Sequence, residues 1–98
     1  MITVRDVFEV RFGQGKHAIA VLRDAKPMLQ RLGYPVERVL ADVTGPFYTI
    51  VMESTFEDLA TFESALRTAG QDSEWQRLYD QFVPLVRSGR REVFRTVA

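Results

Sequence analysis

The sequence predicts an α+β fold: one four-stranded antiparallel sheet with helices on one face, in the order β-α-β-β-α-α-β. Three observations carry this. Residues 2–12 alternate in polarity with the period of two that marks a strand. Residues 16–32 switch to helical spacing, with Ala18, Leu22, Ala25, Leu29 and Leu32 at steps of four, three, four and three. Residues 36–54 then fold back as a hairpin whose two strands agree in polarity and in charge.

In the first strand Ile2, Val4, Phe8, Val10 and Phe12 share one face, with Asp6 as the exception. Thr3, Arg5, Val7, Glu9 and Arg11 share the other. In the first helix Pro27 removes a backbone donor, which predicts a kink rather than a break, and Gly33 is a natural stop. The hairpin strands span 36–44 and 47–54. With Gly45 and Pro46 as a two-residue loop, Val43 faces Tyr48, Ala41 faces Ile50 and Val39 faces Met52. The opposite face then pairs Asp42 with Thr49, Leu40 with Val51 and Arg38 with Glu53, so opposite charges meet. Ser54-Thr55-Phe56-Glu57 reads as a capping box for a helix that buries Leu59, Phe62, Leu66 and Ala69 and stops at Gly70. Ser73-Glu74-Trp75-Gln76 reads as a second box. Its helix buries Trp75, Leu78, Phe82 and Leu85, kinks at Pro84 and ends at Ser88-Gly89. Residues 91–97 supply the fourth strand. This order is the ferredoxin-like split βαβ arrangement with a doubled second helical segment.

A chain of 98 residues suggests a single domain, 1–98, with a thin core that oligomerisation would help to complete. Thirteen basic and thirteen acidic side chains give no net charge, which argues against a nucleic-acid partner. The cluster Arg87, Arg90, Arg91 and Arg95 reads most simply as a helix C-terminus followed by a charged strand. There is no cysteine, so disulfides, thiolate metal sites and a cysteine nucleophile are excluded. Neither a signal peptide nor an apolar run of spanning length is present, so the expectation is a soluble, cytoplasmic protein without membrane insertion.

Residues 13–18, GQGKHA, match the G-x-G-x-x-A fingerprint of a dinucleotide-binding turn. Such a site needs two parallel strands around the turn and an acidic residue placed for the ribose. Here the next strand runs straight into a hairpin, and Asp42 stands at the wrong end of its strand. The glycines are expected to serve a tight strand-to-helix turn.

The same stretch, Phe12-Gly13-Gln14-Gly15-Lys16 between a strand and a proline-bearing helix, resembles the first half of the dimeric α/β-barrel proteins, and especially their NIPSNAP-like branch. Asp72-Ser73-Glu74-Trp75 before the last helix resembles that branch's acidic-x-x-Trp stretch. The resemblance covers nearly the whole chain. It implies a homodimer whose two sheets close into a barrel, with a pocket between sheet and helices or inside the barrel. Haem-degrading relatives carry an iron-binding histidine on a helix after the third strand. Residues 55–88 contain none, so no haem and no other cofactor is expected.

The candidate catalytic residues are Asp6 and His17. Asp6 sits among apolar neighbours, where a carboxylate must find a partner or become a stronger base; a hydrogen-bonded structural role is the simpler alternative. His17 is the only histidine, so a two-histidine metal site is impossible and no metal is expected. It lies in a first helical turn, where exposure is the simpler role. The candidate ligand-binding residues are Trp75, Tyr79, Arg5 and Asp42. Trp75 would form a wall that stacks on a flat ligand, and Tyr79, one turn on, would add a hydroxyl; core packing is the simpler role for both. Arg5 and Asp42 would bind a polar ligand in a cavity on the second sheet face, with a solvated or interface role as the simpler alternative. The first strand also permits the opposite assignment, which puts Asp6 and Phe8 in that cavity. Three functions follow: a homodimer binding a small, partly apolar ligand or a partner, a cofactor-free monooxygenase or cyclase acting on an aromatic or polyketide-like substrate, and a structural assembly subunit.

Overall fold

The alternation along β1 (Ile2–Val10) decides where the core lies. In a computed structural model, which describes residues 1–98, Val4, Asp6 and Val10 are buried, and their face of the sheet meets the helices. The remaining elements are α1 (Gly15–Arg31), β2 (Val36–Ala41), β3 (Thr49–Phe56), α2 (Leu59–Gly70), α3 (Ser73–Phe82), a 3-10 turn at Val83–Leu85 and β4 (Val86–Arg95). The sheet has the order β2-β3-β1-β4 and every neighbour is antiparallel. Overall dimensions of 36 × 35 × 19 Å fit one sheet under one helical layer. The core gathers Val4, Val10, Leu22, Leu29, Ile50 and Phe56 between those layers.

Helix α1 runs through Pro27 and ends as predicted at Gly33. Gly33 takes φ +84°, its N–H donates to Gln30 O at 3.2 Å, and Tyr34 N–H donates to Leu29 O at 2.8 Å. This pair of bonds is a Schellman motif, which needs a left-handed residue at the position glycine fills. It turns Tyr34 inward, where the ring packs edge-on to Phe56 with centroids 5.1 Å apart.

The hairpin register is the predicted one, with Arg38 opposite Glu53, Leu40 opposite Val51 and Ala41 opposite Ile50. The loop is wider than predicted. β2 stops at Ala41, and Val43 is 94% exposed instead of facing Tyr48. The reason is Asp42: its Oδ1 accepts from Thr49 N–H at 2.7 Å, so the side chain closes the turn before the strands can continue. Pro46, with no N–H, could not have extended the ladder.

Both capping boxes are displaced. Ser54 lies inside β3, buried opposite Val4, and the cap of α2 is Asp58, whose Oδ1 accepts from Thr61 N–H at 2.8 Å. This later start rotates the buried face to Phe62, Ala65 and Ala69 and leaves Leu59 exposed. The cap of α3 is Asp72, whose Oδ2 accepts from Trp75 N–H at 2.8 Å. β4 begins at Val86, so Ser88 and Gly89 belong to the strand and not to a helix end. A single 3-10 turn containing Pro84 ends α3, after which the chain is extended at once.

The other sheet face carries no helix. Across it Arg38, Glu53, Arg5 and Glu92 alternate in charge, with Arg5 Nε 3.0 Å from Glu53 and an Arg5 terminal nitrogen 3.5 Å from Glu92. Leu40, Val7, Val51 and Phe94 share this face, and Leu40 and Phe94 are exposed.

Candidate functional site

The site lies between the sheet and the helices, where α1, α3, β1 and β4 diverge around a cavity of about 270 Å³. β1 brings Asp6 and Phe8, since residues two apart on a strand share a face. α3 brings Trp75, Leu78, Tyr79 and Phe82, spaced three and four apart so that all reach the same side. The Asp72 cap fixes the first turn of α3 at Trp75 itself. The Trp75 and Tyr79 rings stack obliquely with centroids 6.1 Å apart, and Phe8 meets Phe82 edge-on at 4.9 Å.

The polar end of this cavity is one ion pair. Asp6 is 4% exposed, and its Oδ1 accepts from Arg91 Nε at 2.7 Å. The two residues stand directly opposite each other on β1 and β4. Burial alone would lower the Arg91 guanidinium, but the hydrogen bond to Asp6 and the Asp6 charge outweigh it, so Arg91 is held above its usual value. The guanidinium also lies 5.2 Å from the centre of the Phe62 ring. Behind Asp6, burial raises the Tyr34 hydroxyl, with the Asp6 charge adding to it, so this phenol stays neutral. Tyr34 Oη and Ser54 Oγ are buried close to each other and to Asp6, without a hydrogen bond of good geometry.

Two wider hollows of about 410 and 490 Å³ exist, at the end of α1 against α2 and between α1 and β2. Their ionisable residues, Arg23, Lys26, Glu37 and Arg38, are all exposed. The smaller cavity is the one that combines aromatic walls with a buried charge, which is the combination a specific site needs.

No protein-family model matches the chain, and no curated protein matches it. Solved structures do. A NIPSNAP domain protein from Burkholderia xenovorans superposes with a TM-score of 0.90 at 12% identity, over 100% of this chain and 96% of its own. The chain has the NIPSNAP fold. A NIPSNAP family protein from Agrobacterium tumefaciens agrees at a TM-score of 0.87 and 15% identity, over 98% of this chain and 92% of its own. An antibiotic biosynthesis monooxygenase is also similar, at a TM-score of 0.77 and 13% identity over 100% of both chains.

On this NIPSNAP fold the predicted site residues separate into two groups. Asp6, Trp75 and Tyr79 meet at the cavity. Arg5 lies on the helix-free sheet face in the charge ladder, and Asp42 closes the β2–β3 loop. His17 is exposed on the first turn of α1, its Nδ1 2.8 Å from Gln14 Oε1. Asp6 and Phe8 face the helices, which decides the orientation of the first strand. Arg91 is the residue that sequence reasoning missed. Its signal was present: extending the fourth strand back to Val86 sets Arg91 against Asp6 and Glu92 against Arg5 in a single register.

Proposed function

We propose that this protein is a homodimer that binds a small, partly apolar molecule in the cavity beneath α3. The observation that carries the reading is the pairing of an aromatic wall, Trp75 and Tyr79, with one ion pair, buried Asp6 and half-exposed Arg91, in one cavity. Apolar walls supply affinity and one fixed polar pair supplies orientation. The dimer reading rests on the helix-free sheet face, where exposed Leu40 and Phe94 flank an ordered charge ladder and a second copy would cover them. Native mass spectrometry of the protein purified from its own host tests both parts. A dimer carrying extra small mass, lost in Trp75→Ala, is the expected result. A monomer overturns the dimer, and a wild-type protein whose single tryptophan fluorescence responds to no apolar compound overturns the binding site.

The likeness to an antibiotic biosynthesis monooxygenase over both whole chains favours a second reading, cofactor-free oxidation of an aromatic substrate. Asp6 would then be the base that takes a proton from a substrate stacked on Trp75, after Arg91 releases its Oδ1. Oxygen consumption that falls to background in Asp6→Asn while binding persists is the expected outcome for this reading. Turnover unchanged in Asp6→Asn removes Asp6 from it.

A further inference from the structure

The cavity beneath α3 does not end where its walls close. A second hollow of about 240 Å³ lies beside it, and Phe8, Tyr79, Phe82 and Gly89 line both. The partition between them is therefore made of side chains: the edge-on pair Phe8–Phe82 and the Tyr79 ring, which is half exposed. The strand beneath is smooth at this point because residue 89 is glycine. A Cβ there would come within 3.1 Å of the Phe8 ring and 3.6 Å of the Val7 carbonyl oxygen. The far hollow is walled by Val83 and Val86, with Arg87 and Ser88 beside them. Each hollow alone is smaller than the roughly 300–1,000 Å³ that ordinary ligand pockets occupy, and joined they enter that range.

We propose that the two hollows form one elongated site, which takes a linear amphipathic molecule with an uncharged polar head at Asp6–Arg91 and an alkyl tail running between α3 and β4 past Phe8 and Gly89. The head is uncharged because the pair already neutralises itself. A primary amide can donate to Asp6 and accept from Arg91 without leaving either charge unpaired, whereas a carboxylate on the remaining Arg91 N–H groups would set a second anion beside buried Asp6. The tail is linear because the hollows adjoin end to end at the Phe8–Phe82 partition, with β4 on one side and α3 on the other, and the ligand enters the second by turning those rings aside. This inference rests on the binding reading above and specifies the ligand for it.

The test is a series of straight-chain primary amides from four to ten carbons, titrated against the fluorescence of Trp75, the only tryptophan. Affinity should rise about two- to fourfold per added methylene as the tail enters the second hollow. Val83→Phe, which alters only the far hollow, should leave the four-carbon amide within twofold and flatten the rise. If the short amide binds and lengthening it changes nothing, or if the rise survives in Val83→Phe, the elongated site is overturned while the binding reading stands. If no amide of any length perturbs Trp75, this inference is overturned, while the binding reading is decided by the native mass spectrometry above. The wild-type series decides the matter without any variant.

Discussion

Asp6 and Arg91 are worth most as a pair. Arg91→Met leaves a buried carboxylate unpartnered and is expected to cost about 3 kcal/mol, somewhat less than a fully buried pair because the arginine side chain is 43% exposed. Asp6→Asn combined with Arg91→Met should recover most of that loss, since no lone charge then remains buried. Urea unfolding of the single and double variants measures both, and additive losses would show that the pair is not coupled. Tyr34 gives the opposite expectation. Its hydroxyl is buried near Ser54 and Asp6 without a hydrogen bond of good geometry, so Tyr34→Phe removes a poorly satisfied group while keeping the ring against Phe56. The change should stabilise by about 1 kcal/mol and raise Tm by several degrees, read by differential scanning calorimetry. A lower Tm would mean that the hydroxyl is held by something, such as an internal water shared with Ser54. Of these residues, Asp6 stood out in the sequence as a carboxylate inside an apolar alternation. Tyr34 did not, because its burial follows from the Gly33 turn and not from any period.

The capped helices show where local signals serve and where they mislead. Ser54 and Ser73 have the composition of caps, yet the aspartates at 58 and 72 do the work. For Ser54 the sheet decides: β3 needs two more residues to stay paired with Ile2 and Thr3, and the alternation sends Ser54 into the core. Asp58 has a lowered pKa because the Thr61 N–H and then the Thr61 hydroxyl bond to its carboxylate. A carboxylate depressed on folding contributes stability above its unfolded pKa of 3.8 and loses it as pH falls through the lower folded value. The Tm difference between the wild type and Asp58→Ala should therefore be constant from pH 7 down to about 4 and close below that. A difference that persists unchanged at pH 2 would assign the loss to helix propensity. The hairpin register was legible because two faces and a charge pair constrained it at once. The loop was not, because a side-chain acceptor, Asp42, competes with the backbone there. The start of β4 was hidden for a similar reason, since Ser88-Gly89 looks like a helix end until Phe8 is known to lie across it.

At the scale of the molecule, one sheet face is covered by helices and the other by nothing in the single chain. If two copies meet there, Leu40→Glu with Phe94→Glu should give a folded monomer, because both side chains are exposed and their loss leaves the core intact. Light scattering on the purified double variant reads this directly, and an intact dimer would remove that face from the proposal. The layer arrangement was legible from the order of elements, whereas the position of the cavity depended on contacts between β1, α1, α3 and β4 that no local pattern encodes. The sheet also has two free rims, and the β4 rim is the longer. An unpaired strand of this length is a template on which further copies can zip, ending in fibres. Five of its ten residues are charged, and four of those are arginines at 87, 90, 91 and 95. Two such rims brought together antiparallel set cation against cation. The arginine run thus acts as a bumper: it leaves the broad face open to a matching copy and makes rim-to-rim stacking, the path to aggregation, electrostatically unfavourable. Replacing Arg87, Arg90 and Arg95 by valine, with Arg91 left to pair with Asp6, should therefore show first as turbidity in storage, well before any change in the folded domain.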